Sequence, residues 1–189
     1  MQSVIEHYQA NYCEENIWHL CRLFTHPEQC ATVVFISNRQ QQVALYGQIT
    51  AKAPGMPVVW DYHVVLCVFR EGGWGILDPD YYEGPSVGLN EYIERTFPET
   101  IPADFRAMFR LIPGEEYCQT LRTDRRHMRQ VGTWLSPPPP WPCIGEGSNL
   151  MDIVDFDCPD YADALTLDAF KRHFSAPPTV IDRNQATKY

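Results

Sequence analysis

Neither a CxxC pair nor an HExxH run occurs anywhere in this chain. Zinc ribbons and metallohydrolases need such spacings to bring several ligands to one ion, so a zinc site from scattered Cys and His residues is a weak reading. Basic residues are also short, 15 against 24 acidic ones, giving a formal net charge of −9. A surface that negative repels phosphate backbones and argues against nucleic acid as a partner. It suits cationic ligands, such as a peptide with a free amino terminus. No run approaches the roughly 18 apolar residues of a membrane span. The opening MQSVIEHYQANY has neither the basic start nor the apolar core of a signal peptide. Internal repeats and sharp breaks in composition are missing too. Together these absences lead us to expect a reduced protein of the cytoplasm, and of the nucleus as well, with one domain over residues 1–175 and a loose tail at 176–189.

What is present suits a packed core. Of 189 residues, 44% are hydrophobic and 13% aromatic, as in ordinary globular domains. The seven cysteines, at 13, 21, 30, 67, 118, 143 and 158, form no tight cluster and read mostly as buried apolar residues. No heptad or large apolar seam suggests an oligomer, so a monomer is expected.

Residues 14–24, EENIWHLCRLF, carry apolar side chains at 17, 20, 21 and 24, a helical period, with Glu14 and Glu15 suiting the positive first turn. Cys13 then stands at or just before the helix start. ATVVFIS (31–37) reads as a strand, with VALYG returning beside it after the turn SNRQQQ. VVWDYHVVLCVFR (58–70) and 74–78 read as a hairpin across REGG. GGWG is only a turn, because a strand and not a helix follows it. GLNEYIERTF (88–97) and ALTLDAFKRHF (164–174) read as helices, the second with Thr166 as N-cap, while FRAMFRLI (105–112) fits helix or strand. Four consecutive prolines keep SPPPPWPC (136–143) out of any regular element. The fold expected is α/β: a single domain with a mainly antiparallel sheet and flanking helices.

Cysteine chemistry needs a thiolate, and a helix amino terminus or a nearby histidine favours one. Cys13 has the first by prediction. On the strand 58–70, alternation places Asp61, His63, Val65 and Cys67 on one face, and the mixed WDYH breaks an otherwise apolar run, as functional sites do. The acid opposite His63 depends on the hairpin. A turn centred on Arg70 and Glu71 puts Asp78 there, whereas one centred a residue later puts Asp80 there. Asp61 starts roughly 7 Å along the same strand and is the weaker partner. The residues alone leave a Cys13–His63–Asp site with its acid open.

The strings NYCEENIW, VFISN, VVWDYHVVL, FRLI, DRRHM and PPPPWPCI resemble, in order and nearly in spacing, those of the protein N-terminal glutamine amidohydrolase family. The resemblance runs from about residue 7 to residue 175. It implies Cys13 as nucleophile, His63 as base and Asp78 as the acid. It also implies an α/β/α sandwich similar to the transglutaminase and papain-like cysteine hydrolases, and hydrolysis of the side-chain amide of an N-terminal glutamine. No metal and no organic cofactor is implied. Proteins or peptides with a free N-terminal glutamine would be the partners, and the new N-terminal glutamate would enter the N-degron pathway. Reading a free α-ammonium calls for a buried carboxylate or for backbone carbonyls, and Asp61, Asp80 and Asp124 are the carboxylate candidates. Two other readings compete: a papain-like protease or transglutaminase with the same triad, and an interaction module whose SPPPPWPC binds an SH3 or WW partner in polyproline form.

Overall fold

In a computed structural model, the structure describes residues 7–24, 30–70 and 72–178. Helix α1 runs over Cys13–Cys21 and continues as a short 3-10 turn over Arg22–Phe24. Its apolar period buries Ile17, Leu20 and Cys21 on one side, as the sequence predicts. Strands β1 (Ala31–Ser37), β2 (Val43–Leu45), β3 (Val58–Trp60), β4 (His63–Arg70), β5 (Gly73–Leu77) and β6 (Ser86–Gly88) follow, then α2 (Leu89–Thr96). The remainder is β7 (Met108–Pro113), α3 (Gly114–Thr120), the two-residue β8 (Arg129–Gln130) and β9 (Thr133–Trp134), α4 (Leu150–Val154), β10 (Leu165–Thr166) and α5 (Leu167–His173).

The main sheet has six strands in the order β10-β7-β1-β4-β5-β6, and every neighbouring pair is antiparallel. Alternating side chains bury both faces. Val33, Phe35, Val64 and Leu66 pack with residues of α1, α3 and α4, while Val34, Ile36, Val65, Cys67 and Ile76 pack with residues of α2 and α5. Each such side chain contributes about 1.5–3 kcal/mol by leaving water. Strands buried on both sides lose their polar alternation, which is why β1 and β4 read as near-continuous apolar runs.

Several expectations need correction. VALYG does not pair with β1. Val43–Leu45 pairs with β3 in a separate two-stranded sheet, because Asn38 turns the chain away from β1. Its side chain accepts from the Gln40 and Gln42 amides at 3.1 and 3.0 Å and donates to the Gln42 carbonyl at 2.6 Å and the Asp104 carbonyl at 3.0 Å. The run 58–70 is not one strand: it breaks at Asp61 and Tyr62 between β3 and β4. Residues 105–112 resolve as strand for Met108–Pro113, between β1 and β10. Thr166 does cap α5, its hydroxyl accepting from the Ala169 amide at 3.3 Å. Within 136–143 no helix or strand forms. Of the expected tail, 179–189 lie outside the described residues, as does Glu71 of the hairpin turn; Ala176, at the tail's start, accepts from Trp74 Nε1 at 2.8 Å.

Helices α3 and α4 are not foreseen from the sequence. Gly114 opens α3 where it presses on α1: a Cβ there would lie 2.7 Å from the Cys21 sulfur and 3.0 Å from the Ala31 carbonyl. That contact has no local signature.

Candidate active site

Cys13 is the first residue of α1 and is 9% exposed. Cys13 shares a core with Val64, the residue that follows His63 in β4, and the Val64 backbone N–H acts on its sulfur. Burial pushes the thiol well above its ordinary value, and the charges of Glu14 and Asp80 push the same way, against the lowering effect of the Val64 bond. The start of a helix is therefore not enough to hold Cys13 as a thiolate at rest.

His63 opens β4 and is buried. Its Nε2 lies 3.0 Å from Asp78 Oδ1. An ionised carboxylate can only accept, so Nε2 carries the hydrogen and Nδ1 keeps its lone pair. Burial alone would lower His63, but the charge and hydrogen bond of Asp78, with the charge of Asp80, raise it above its ordinary value. Asp78 shows the reverse balance: burial would raise it, and His63, Tyr92 and Gln48 together hold it below the ordinary carboxylate value.

The acid reaches His63 by a route that strand geometry does not predict. Leu66 pairs with Leu77 and Phe69 with Trp74, which is the later of the two hairpin registers and would set Asp80 opposite His63. The ladder stops at Leu77, however, and the chain turns: the Tyr81 amide bonds the Asp78 carbonyl at 3.1 Å, and the Asp80 amide bonds Asp78 Oδ1 at 3.0 Å. That turn swings the Asp78 carboxylate to the histidine. Its other oxygen accepts from Gln48 Nε2 at 3.2 Å and the Tyr92 hydroxyl at 2.9 Å. Gln48 is delivered by Gly47, whose φ of +75° suits glycine and whose missing Cβ, which would meet the Tyr81 ring at 2.5 Å, leaves room for that ring. Gln48 and Tyr92 are parts of the site that sequence reasoning missed, since no local spacing ties either of them to His63 or Asp78.

Asp80 is buried beside this pair, and Tyr8 donates its hydroxyl to Asp80 Oδ1 at 2.6 Å. Burial raises Asp80, partly offset by His63 and the Tyr8 bond. His63, Asp78 and Asp80 each bring one potential ligand atom within 4.8 Å of the others, but the His63 and Asp78 atoms are already engaged with each other and with the Asp80 amide. Asp61 is exposed at the break between β3 and β4, where Oδ1 accepts from the Tyr62 amide at 2.9 Å, near enough for its charge to oppose a thiolate at Cys13. It does not share a strand face with His63, contrary to the alternation. Asp124 forms an ion pair with Arg126, which lowers its carboxyl to about 2.

The remaining strings gather around the start of α1. Glu15, read from sequence as a first-turn acid, is fully buried and clamps Arg125 through Nε at 2.7 Å and Nη2 at 2.8 Å. Arg125 also donates to the carbonyls of Pro139 at 3.4 Å, Trp141 at 2.9 Å and Pro142 at 3.3 Å. Trp141 Nε1 returns to Glu15 at 2.7 Å, and the Tyr12 hydroxyl holds the Ser136 carbonyl at 3.0 Å. The proline-rich segment thus packs against the helix that carries Cys13 and its Arg125 partner. Replacing Arg125 by Leu leaves the Glu15 charge buried without its cation. The expected loss is about 3–5 kcal/mol, read by urea unfolding; an unchanged midpoint would show that the pair contributes little.

Comparison with known proteins agrees with these strings. The family model described as N-terminal glutamine amidase matches residues 8–174. Among curated relatives, the protein N-terminal glutamine amidohydrolase of Homo sapiens is 35% identical over 181 residues, covering 89% of this chain and 88% of that protein. The one from Bos taurus is 38% identical over 157 residues, covering 79% and 75%. That of Drosophila melanogaster is 31% identical over 196 residues, covering 94% and 92%. With matches of this extent, and with the matched span holding every residue of the site just described, the chain belongs to the N-terminal glutamine amidase family.

Proposed function

We propose that this chain hydrolyses the side-chain amide of an N-terminal glutamine to glutamate and ammonia, with Cys13 as nucleophile, His63 as general base and acid, and Asp78 as the group that orients His63. The buried His63–Asp78 bond of 3.0 Å beside a cysteine that opens a helix, in a chain of this family, carries the reading. Cysteine at a helix start and histidine on an antiparallel strand, with helices on both sheet faces, also lead us to group the fold with the α/β/α sandwiches of transglutaminase and papain-like hydrolases.

The steps follow from the groups present. As the Cys13 sulfur attacks the carboxamide carbon, its proton passes to His63 and the C=O π pair moves to oxygen. Backbone N–H groups at the start of α1, that of Cys13 among them, supply the donors for that oxyanion. On collapse the C–N bond breaks, nitrogen takes the proton from His63 and leaves as ammonia, and a γ-thioester remains. Water then gives a proton to His63 and its oxygen to the thioester carbon; sulfur leaves and recovers the proton. The sum is amide plus water to acid plus ammonia, with no metal or organic cofactor in any step. Asp78 holds the imidazole tautomer and stabilises its charged form.

For the substrate's α-ammonium we favour Asp80. It is buried next to His63 with one oxygen taken by Tyr8, while Asp124 is engaged with Arg126 and Asp61 lies at an exposed bend. Asp80→Asn is expected to raise KM for a Gln-first peptide by about 10- to 100-fold, the worth of one charge-assisted hydrogen bond, with kcat changed much less. A KM unchanged within twofold would remove Asp80 from this role.

The direct test is ammonia release from four peptides: Gln-first, Asn-first, acetyl-Gln and one with internal Gln. Turnover confined to the first supports the reading. Equal turnover of internal Gln would favour a transglutaminase-like activity, peptide-bond cleavage a protease, and equal turnover of acetyl-Gln would exclude a reader of the free amine. We further propose that the enzyme works as a monomer in the cytoplasm or nucleus, where its product feeds the N-degron pathway.

A further inference from the structure

Behind Cys13 lies a second buried polar group that the reaction steps leave unused. Glu14, the next residue of α1, is fully buried. Its Oε2 lies 3.9 Å from the Cys13 sulfur and accepts the Tyr62 hydroxyl at 3.1 Å. Oε1 has no hydrogen-bond partner and faces His127 Nε2 at 3.5 Å. The same nitrogen contacts the Tyr62 hydroxyl at 3.3 Å, and His127 Nδ1 is buried with no hydrogen-bond partner. The neighbouring Glu15 makes a useful contrast, because both its oxygens are bonded to Arg125 or Trp141. Glu15 is explained by structure alone. A buried carboxylate with an unbonded oxygen costs stability that its own contacts return only in part, and such costs gather where a charge acts on a neighbour.

We propose that Glu14, with Tyr62 and His127 behind it, is a positioning residue that keeps the Cys13 sulfur protonated until substrate and His63 are in place. A negative charge 3.9 Å from the sulfur opposes a second one there. The other groups facing Cys13 do not cancel it. Asp80, in the turn after β5, and Asp61, before β4, oppose the thiolate as Glu14 does. Tyr8, Tyr62 and Tyr117 face it as neutral phenols, each raised chiefly by burial. The Val64 amide favours the thiolate, and His63 is the base that receives the proton once attack begins. Glu15 and Arg125 satisfy each other. A sulfur held neutral between turnovers is also a poor target for oxidants and alkylators, which react with the thiolate.

This inference rests on Cys13 being the nucleophile, and its test separates the two. On the full-length enzyme, iodoacetamide labelling of the Cys13 peptide is followed by mass spectrometry across pH. The wild-type midpoint is expected above the free-thiol value of about 8.5. Glu14→Gln, nearly isosteric and uncharged, is expected to lower it by about one pH unit or more. A merely structural role would move the thermal midpoint and leave the labelling profile in place. If Glu14→Gln does not fold, Glu14→Asp keeps the charge but draws it back, and a fall in the midpoint is again expected. A wild-type midpoint below that of a free thiol overturns the proposal, as does an unchanged midpoint in the folded variant. Failure of the nucleophile assignment reads out differently, as ammonia release that persists in Cys13→Ala.

Discussion

Cys13→Ala is expected to reduce ammonia release from a Gln-first peptide by at least about a thousandfold, to the background left by binding and oxyanion donors alone. The size follows from what is removed. Without sulfur no thioester forms, and water would have to attack the amide directly from a site shaped around a covalent intermediate. Two other buried cysteines have structural places: Cys21 packs against α3, and Cys67 lies in the core shared with α2 and α5. Stability should change little, because the substitution removes one sulfur atom from a site that is already slightly open. Circular dichroism and the thermal midpoint check that the fold persists. Activity within tenfold of wild type would mean that the nucleophile lies elsewhere.

Asp78→Asn is expected to lower kcat by about 10³- to 10⁴-fold with KM little changed, the loss seen when an orienting carboxylate becomes an amide. Asp78 accepts from four donors, His63, the Asp80 amide, Gln48 and Tyr92. An amide cannot accept on its nitrogen, so either the histidine adopts the wrong tautomer or a buried donor goes unpaired. The variant also carries a pH signature. Asp78 raises His63, so without its charge the acidic limb of the activity profile moves to lower pH. Asp78 itself is held low, and its contribution to stability is present above the unfolded carboxylate value and lost as pH falls through the folded one. Wild type and variant should therefore converge in stability toward acid pH. Retained activity in Asp78→Asn, with kcat lost in Asp80→Asn, would transfer the orienting role to Asp80.

Much of this site is legible in the sequence because its parts are local. The helix behind Cys13 follows from a plain apolar period, and His63 stands out as a polar break in a buried strand. The choice between Asp78 and Asp80 was not visible. It turns on where a hydrogen-bond ladder ends and on donors from residues 48 and 92, which no periodicity connects. Only the family resemblance pointed to Asp78, the acid that holds His63. Glu14 and Glu15 stand in the first turn as their sequence suggests, but their burial is not legible there for a related reason. Acids in a first turn are ordinarily solvated, and their burial depends on Tyr62, Arg125, His127 and Trp141 arriving from far along the chain. For α3 and the split at Asp61 the deciding contacts are likewise tertiary, and β2 finds β3 because Asn38 binds backbone carbonyls from the 104–106 segment.

Because the Asp78 carboxylate is aimed by the turn that follows β5 and by Gln48 and Tyr92, its placement is independent of how β4 and β5 are joined at their far end. The same end of the hairpin is a natural place to graft a fluorophore or affinity tag: it lies at the opposite end of β4 from His63, and a label there would report on the enzyme at work without touching the groups that do the chemistry.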